Sequence, residues 1–362
     1  RRERLPIHQR AGIYYEQDEP EPLRAARHFT QIGEHDRAAR LLTANVAAVI
    51  NRGQARTLQQ VLDQIDVARV SATHRVEIEL ARGRAAAHLG DVAAARNCYA
   101  AGLHAVQTLP DSIESQALKA SICRWLADLL HRHGEYPAAL EAVQNGLDAL
   151  ADRAGSEAAE LRLIAAETYS RLGDLDRTRA MAEQVRQWGE SVTQPTALAR
   201  AYNLIGLTEF RRDAHDAAIE QYQRALELYR QTHNLIGEAK TYNLIGASYL
   251  SQSRWTEAEA MFREAHELST RVGDAFLSAV VGNNLGLLLL RRGQLAEARS
   301  VYQTALDVLI ARQGSLYVRA SVQLNLAVVL LGQGEAAPAR ENLQASRALF
   351  EEFAVQSGND FG

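Results

Sequence analysis

Cysteine is nearly missing from this chain. With only Cys98 and Cys123, no disulfide framework can be built, and both sit in apolar helical contexts that read as small core positions. A reducing cytoplasm is therefore the expected compartment. Prolines number seven and aromatics make up 6% of 362 residues, which leaves an aliphatic, alanine-rich composition that favours helices. Lysine occurs only at Lys119 and Lys240. The other basic residues are arginines, scattered rather than clustered, as genome composition would give. A net charge of −4 is small for this length, so neither nucleic acid nor an anionic membrane is expected as a partner. The most apolar stretches, Leu285 to Leu290 and Leu324 to Leu331, fall far short of the roughly 20 residues that span a bilayer. The opening Arg1-Arg2-Glu3-Arg4 does not read as a secretory leader. With the tail Ser357 to Gly362, it leads us to expect a piece of a longer protein.

Catalytic signatures are missing too. There is no Gly-x-x-x-x-Gly-Lys-Ser/Thr phosphate loop, no His-Glu-x-x-His and no Gly-x-Ser-x-Gly. The expectation is a non-enzyme without cofactor or metal. His131 and His133 are two apart, on different faces of a helix, so they suit a solvated C-terminal cap better than a metal pair.

What the sequence does have is a repeat. Segments beginning at Tyr202, Tyr242 and Gly282 align without gaps, and their glycines Gly206, Gly246 and Gly286 are spaced by 40 and 40. Each is followed at fixed offsets by an alanine (Ala218, Ala258, Ala298), an aromatic (Tyr222, Phe262, Tyr302) and a second alanine (Ala225, Ala265, Ala305). The glycine lets a first helix touch a second closely, and the small-large-small seam on the second helix receives a neighbour. Each helix pair leaves an apolar face open, which stacking the next pair buries. The pattern continues in Ala327 with Gly334 and Ala339, and backward in Ala166 with Gly173, Ala127 with Gly134, Gly83 with Gly90, and Ala26 with Gly33 and Ala38. Residues 54–64 read as an extra helix. Turns such as Gly90-Asp91 and Gly293-Gln294 fall where first helices end. Tyr99, Tyr222, Phe262 and Tyr302 are seam residues and hence core. Trp255 opens a second helix and is expected to pack on its neighbour.

This Tyr/Trp-x-x-Leu/Ile-Gly…Ala…Phe/Tyr…Ala pattern resembles tetratricopeptide repeats over residues 73 to 350. The usual unit has about 34 residues, and here it has about 40. The proline that usually ends the second helix is missing, as at Arg230 and Thr270, so longer helices and a deeper groove are implied. The amino-terminal part carries a further resemblance. Ile7-His8-Gln9-Arg10-Ala11 through Tyr15-Glu16 is similar to the helix that follows the winged-helix domain in STAND signal-transduction ATPases, the relatives of the maltose-regulon activator and the large LuxR-type regulators. Ala25-Ala26-Arg27-His28, Gly33-Glu34 and Ala38-Ala39-Arg40-Leu41-Leu42, then Gly53 through Leu58 and Leu62 to Ile65, match the next two family motifs in order. The resemblance implies an arm and sensor region that holds an ATPase off or binds an inducer, after which the full-length protein oligomerises. It would place any nucleotide site upstream of Arg1.

Five asparagines stand out. Asn203, Asn243 and Asn283 lie three before the repeat glycine, and Asn284 and Asn325 two before the glycine or its equivalent Ala327. In tetratricopeptide repeats these first-helix positions usually face the concave surface, and asparagine is a mediocre helix former. Two readings stay open. The amides bond one another from repeat to repeat, or they grip polar groups of a ligand. Arg200 and Lys240 stand one turn earlier on the same side. Arg124 and Trp125 hold the matching positions in an earlier unit, where Trp125 is either a groove anchor or buried in a contact between repeats.

The expected fold is all-α, an α-α superhelix of about eight tetratricopeptide-like helix pairs with about 40 residues each and sixteen to eighteen helices. The expected organisation is a helical arm over 1–66 with a degenerate first repeat and a connector helix, the superhelix over 67–354, and a flexible tail over 355–362. The expected function is sensing a small-molecule or peptide/protein inducer in the concave groove. The candidate ligand site comprises Arg124, Trp125, Arg200, Asn203, Lys240, Asn243, Asn283, Asn284 and Asn325. The expected partners are this inducer, the protein's own upstream ATPase domain and, in the full-length protein, further copies of itself once ligand is bound. The alternatives are a stand-alone scaffold for a peptide or partner protein, and the targeting module of an enzyme encoded elsewhere on the chain.

Overall fold

A computed structural model of the chain describes residues 5–311 and 315–357. The described residues form nineteen α-helices and one short 3-10 turn, with no strand among them. The part of the expected tail beyond Ser357 lies outside the described residues, as do Arg1 to Arg4. The helices divide into two compact units that meet inside one helix, at Ile164 and Ala165.

The first unit holds α1 (Leu5–Gln17), α2 (Pro22–Gln31), α3 (His35–Ala44), α4 (Val46–Asn51), α5 (Ala55–Leu62), α6 (Ala72–His88), α7 (Val92–Val106), α8 (Ile113–Arg132), α9 (Tyr136–Ala149) and the start of α10 (Ser156–Leu172). The second holds the rest of α10, then α11 (Leu175–Val192), α12 (Pro195–Arg211), α13 (His215–Gln231), α14 (Leu235–Ser251), α15 (Trp255–Val272), α16 (Ala275–Arg291), α17 (Leu295–Ala311), α18 (Leu316–Gly332) and α19 (Ala336–Ser357). The connector helix read over 54–64 is α5. The described residues hold one helix more than the upper end of the expected number of about sixteen to eighteen. One reason is α4, a six-residue helix set off from α3 only by the bend at Asn45, with no glycine or proline to mark it.

Sequence chemistry sets the helix limits. Asp91, Asp174, Asn234 and Asp274 cap their helices through side-chain oxygens that accept a backbone N–H three residues on, for example Gly237 N–H to Asn234 Oδ1 at 2.9 Å. Most helices that end a repeat turn do so on a glycine in the left-handed region. Asp213 (φ 59°) and Ser253 (φ 59°) occupy that conformation without being glycine, at positions where Gly173 and Gly293 stand in the flanking repeats.

The seam reading holds in detail. A Cβ added at Gly206 would come within 2.6 Å of the Tyr222 ring, at Gly246 within 2.7 Å of Phe262, and at Gly286 within 2.6 Å of Tyr302. Gly83 and Tyr99 make the same pair in the first unit. All four rings are fully buried. Where the first helix carries alanine instead, the residue sixteen on is never aromatic: Ala26 with Leu42, Ala127 with Val143, Ala166 with Ala182 and Ala327 with Leu343. A glycine is thus what admits the aromatic ring, as close packing demands. Cys123 is buried as expected, whereas Cys98 is only half-buried because it sits beside the seam residue Tyr99 rather than in the seam. Trp255 does open α15, but it stays 39% exposed.

Within the second unit, the first helices from α12 on also touch the first helix of the next repeat, α12 to α14, α14 to α16 and α16 to α18. The second helices make no comparable contacts among the described residues. Closer approach on one layer curves the stack towards that layer, so the first helices line the inner side of this unit.

Candidate functional site

The first-helix asparagines are joined from repeat to repeat. Asn203 Nδ2 donates to Thr241 Oγ1 at 2.9 Å, linking α12 to α14. Asn284 Nδ2 donates to Asn243 Oδ1 at 2.9 Å, linking α14 to α16, and Asn325 Nδ2 donates to Asn283 Oδ1 at 3.0 Å, linking α16 to α18. Asn243 is 9% exposed, and its Oδ1 is engaged in this ladder. Of the two readings of the asparagines, the geometry favours the bonds between repeats for all five, although Asn203 also borders an open cleft.

Three other candidates converge. Arg200, Asn203 and Lys240 line one open cleft of about 300 Å³ in the second unit, between α12 and α14. Leu204, Leu207, Ile236 and Leu244 give it apolar walls. At its base the Tyr229 ring packs directly on Gly237, whose missing side chain is what admits the ring. Burial pushes the Tyr229 hydroxyl up to about 12, with Arg200 opposing the shift. Arg200 pairs with Glu167 at 2.9 Å. Lys240 is exposed and makes no ion pair among the described residues. The cleft therefore presents an accessible ammonium, an amide and a guanidinium–carboxylate pair beside aliphatic surface. Such a lining suits a ligand with carbonyl or carboxylate groups and an apolar part.

Arg124 and Trp125 lie in the first unit. Arg124 pairs with Glu157 at 2.7 Å and stands 4.6 Å from the Trp125 ring centre. Trp125 is part-buried and packs against the core cluster of α6 to α8. No cluster of three or more histidine, cysteine, aspartate or glutamate side chains suited to a metal occurs among the described residues. No helix there is long and apolar enough to cross a membrane.

Sequence reasoning missed Glu167, Tyr229 and Asn234 in the cleft, and Arg84 in the first unit. A usable signal existed. The residue just after the repeat glycine or alanine is aliphatic in the later repeats (Leu207, Ala247, Leu287, Val328) but charged in the earlier ones (Arg84, Asp128, Glu167).

Comparison with known proteins follows this geometry. The tetratricopeptide-repeat family profile matches residues 157–231, 237–311 and 277–352. No curated protein sequence matches the chain. Among solved structures, the apo form of RapI superimposes with a TM-score of 0.62 at 13% identity, over 77% of this chain and 99% of that one. A Rap protein complexed with competence and sporulation factor gives 0.63 at 13% identity, over 88% and 99%. A STAND protein with a tetratricopeptide repeat sensor, from Pyrococcus horikoshii, gives 0.66 at 12% identity, over 99% of this chain and 54% of that one. The chain thus spans about half the length of this last protein, and at such identities the likeness is one of fold.

Proposed function

This chain belongs to the tetratricopeptide-repeat family, a family of protein-interaction modules, and on that premise we propose that it is the ligand-sensing module of a STAND-type signalling ATPase or transcriptional regulator. The observation that carries the reading is the cleft of Arg200, Asn203 and Lys240 between consecutive first helices. It supplies donors and apolar walls. The proposed role of this chain is to bind an inducer, while ATP turnover belongs to a domain upstream of Arg1 in the parent protein. The motifs of α1, α2, α3 and α5, and the fold shared along 99% of this chain with a STAND tetratricopeptide sensor, support that assignment. Occupancy of the cleft would clamp α12 against α14, and this change in the stack would release the ATPase for self-association.

A handful of charge-assisted and neutral hydrogen bonds, each worth about 0.5–3 kcal/mol, is enough for micromolar affinity, near −8 kcal/mol. The test is a thermal-shift screen of peptides and polar metabolites, followed by calorimetry on Lys240→Glu and Ile236→Arg. Both variants should lose the ligand, and Gln223→Ala on the second helix α13 should keep it. A ligand indifferent to the first two changes and lost on the third would end the reading. So would a parent sequence with no phosphate loop upstream.

A second reading, a stand-alone peptide-binding regulator, draws support from the Rap structures, one solved with competence and sporulation factor, which this fold covers over 99% of their length. The parent sequence separates the two.

A further inference from the structure

We propose that the first unit carries a second binding site, for a monoanionic carboxylate with an apolar tail, centred on Arg84. The site shares no residue with the Lys240 cleft and stands or falls independently of it.

Arg84 sits on α6 next to the seam glycine Gly83, and its guanidinium lies 4.3 Å from the Trp125 ring centre. Other arginines of this unit have carboxylate partners: Arg82 with Glu79 at 2.7 Å, Arg124 with Glu157 at 2.7 Å, and Arg37 with Glu34 at 3.2 Å. Arg84 has none among the described residues, and its Nε is buried without a hydrogen-bond partner. Burial first, and then the like charge of Arg124, lower its pKa, with Tyr99 opposing. A guanidinium remains protonated in such surroundings, and a desolvated charge is ordinarily paired. The half-buried guanidinium stacks on Trp125, and its buried Nε is left without an acceptor.

That side chain lines a cavity of about 250 Å³, together with Arg40 from α3. Arg40 is exposed and makes no ion pair among the described residues. Val46, Leu80, Ala81 and Leu118 add apolar surface to the same lining. The cavity also contains Glu77, but its carboxylate accepts from the Thr43 hydroxyl at 2.9 Å and lies 4.0 Å from His74 Nε2. Two arginines against one carboxylate favour a single incoming negative charge, and Glu77 opposes a dianion. A planar carboxylate matches the guanidinium fork. The aliphatic wall gives the remainder of the ligand a dry surface, and the cavity holds only a short chain.

The test uses the whole chain with hexanoate, acetate and inorganic phosphate as probes, read by calorimetry and by the emission of Trp125 in a Trp188→Phe/Trp255→Phe background. Hexanoate should bind saturably and at least about tenfold more tightly than acetate, the gain expected of a few buried methylenes. Arg84→Met, which keeps the aliphatic stem over Trp125, should weaken hexanoate by about tenfold or more. Arg40→Gln, an exposed change that leaves packing alone, should weaken it severalfold and decides the matter if Arg84→Met does not fold. Acetyl-alanyl-leucine and its amide distinguish a peptide terminus from a free acid as source: tighter binding of the dipeptide, lost on amidation, favours the terminus. No saturable binding of hexanoate to the wild-type chain, binding untouched by both substitutions, or phosphate binding as tightly as hexanoate would each overturn the proposal.

Discussion

Asn284 Nδ2 donates to Asn243 Oδ1 at 2.9 Å across two consecutive first helices, at a position where Asn243 is 9% exposed. The bond is one rung of a ladder that fixes the spacing of the inner layer. Asn243→Ala strands the Asn284 donor and should cost about 1–3 kcal/mol. In a double-mutant cycle with Asn284→Ala, urea unfolding should give a coupling of about 0.5–1.5 kcal/mol. Additive losses would mean that the rung contributes nothing.

The glycine–aromatic pairs lead to a compensation experiment. Gly246→Ala places a methyl group 2.7 Å from the Phe262 ring and should cost about 1–3 kcal/mol. Adding Phe262→Val recreates the alanine–valine pair of Ala127 and Val143, and should recover part of the loss. A double variant no more stable than Gly246→Ala alone would show that the two positions do not share volume.

Three seam tyrosines, Tyr99, Tyr222 and Tyr302, bury hydroxyls that find no hydrogen-bond partner, while Phe262 fills the same position without one. Tyr222→Phe and Tyr302→Phe should therefore be neutral or stabilising, by up to about 1–2 kcal/mol, the cost of a buried unsatisfied hydroxyl. A loss greater than about 1 kcal/mol for either would reveal a bond to the hydroxyl.

The same burial predicts alkaline instability. Burial pushes Tyr229 up to about 12 and moves Tyr99, Tyr222 and Tyr302 upward as well. The unfolded chain releases these protons near the ordinary value of about 10, before the folded chain does. Their contribution is thus fully present below about pH 10 and is lost as pH rises towards 12. Urea midpoints taken at pH 8 to 11 should fall, and fall less in Tyr222→Phe/Tyr302→Phe. Parallel profiles for the two proteins would refute the assignment.

Ser253 and Asp213 adopt the left-handed turn conformation that glycine occupies in the flanking repeats. Ser253→Gly should raise stability by up to about 1 kcal/mol, since the left-handed region costs other residues roughly 1–2 kcal/mol and glycine loses some of this gain to its unfolded-state entropy. A lower melting temperature would show that the serine is compensated locally.

The period of the chain, the seam and the choice of first and second helices were legible in the sequence. They follow from residue volumes at fixed spacing: Gly206 and Tyr222 sixteen apart have one close-packed solution, and so do Ala127 and Val143. The short helix α4 was not legible, because the bend at Asn45 carries no glycine or proline. Nor could the sequence decide between the two uses of its asparagines. That choice depends on how far apart successive first helices stand, a distance set by all the side chains between the two layers. Only the assembled stack brings Asn243 within reach of Asn284, and only there do Lys240 and Arg200 share a cleft walled by Leu204 and Ile236. The solitude of Arg84 is likewise tertiary: a charge is unpaired only when every element packed around it fails to bring a partner, which no local pattern can record.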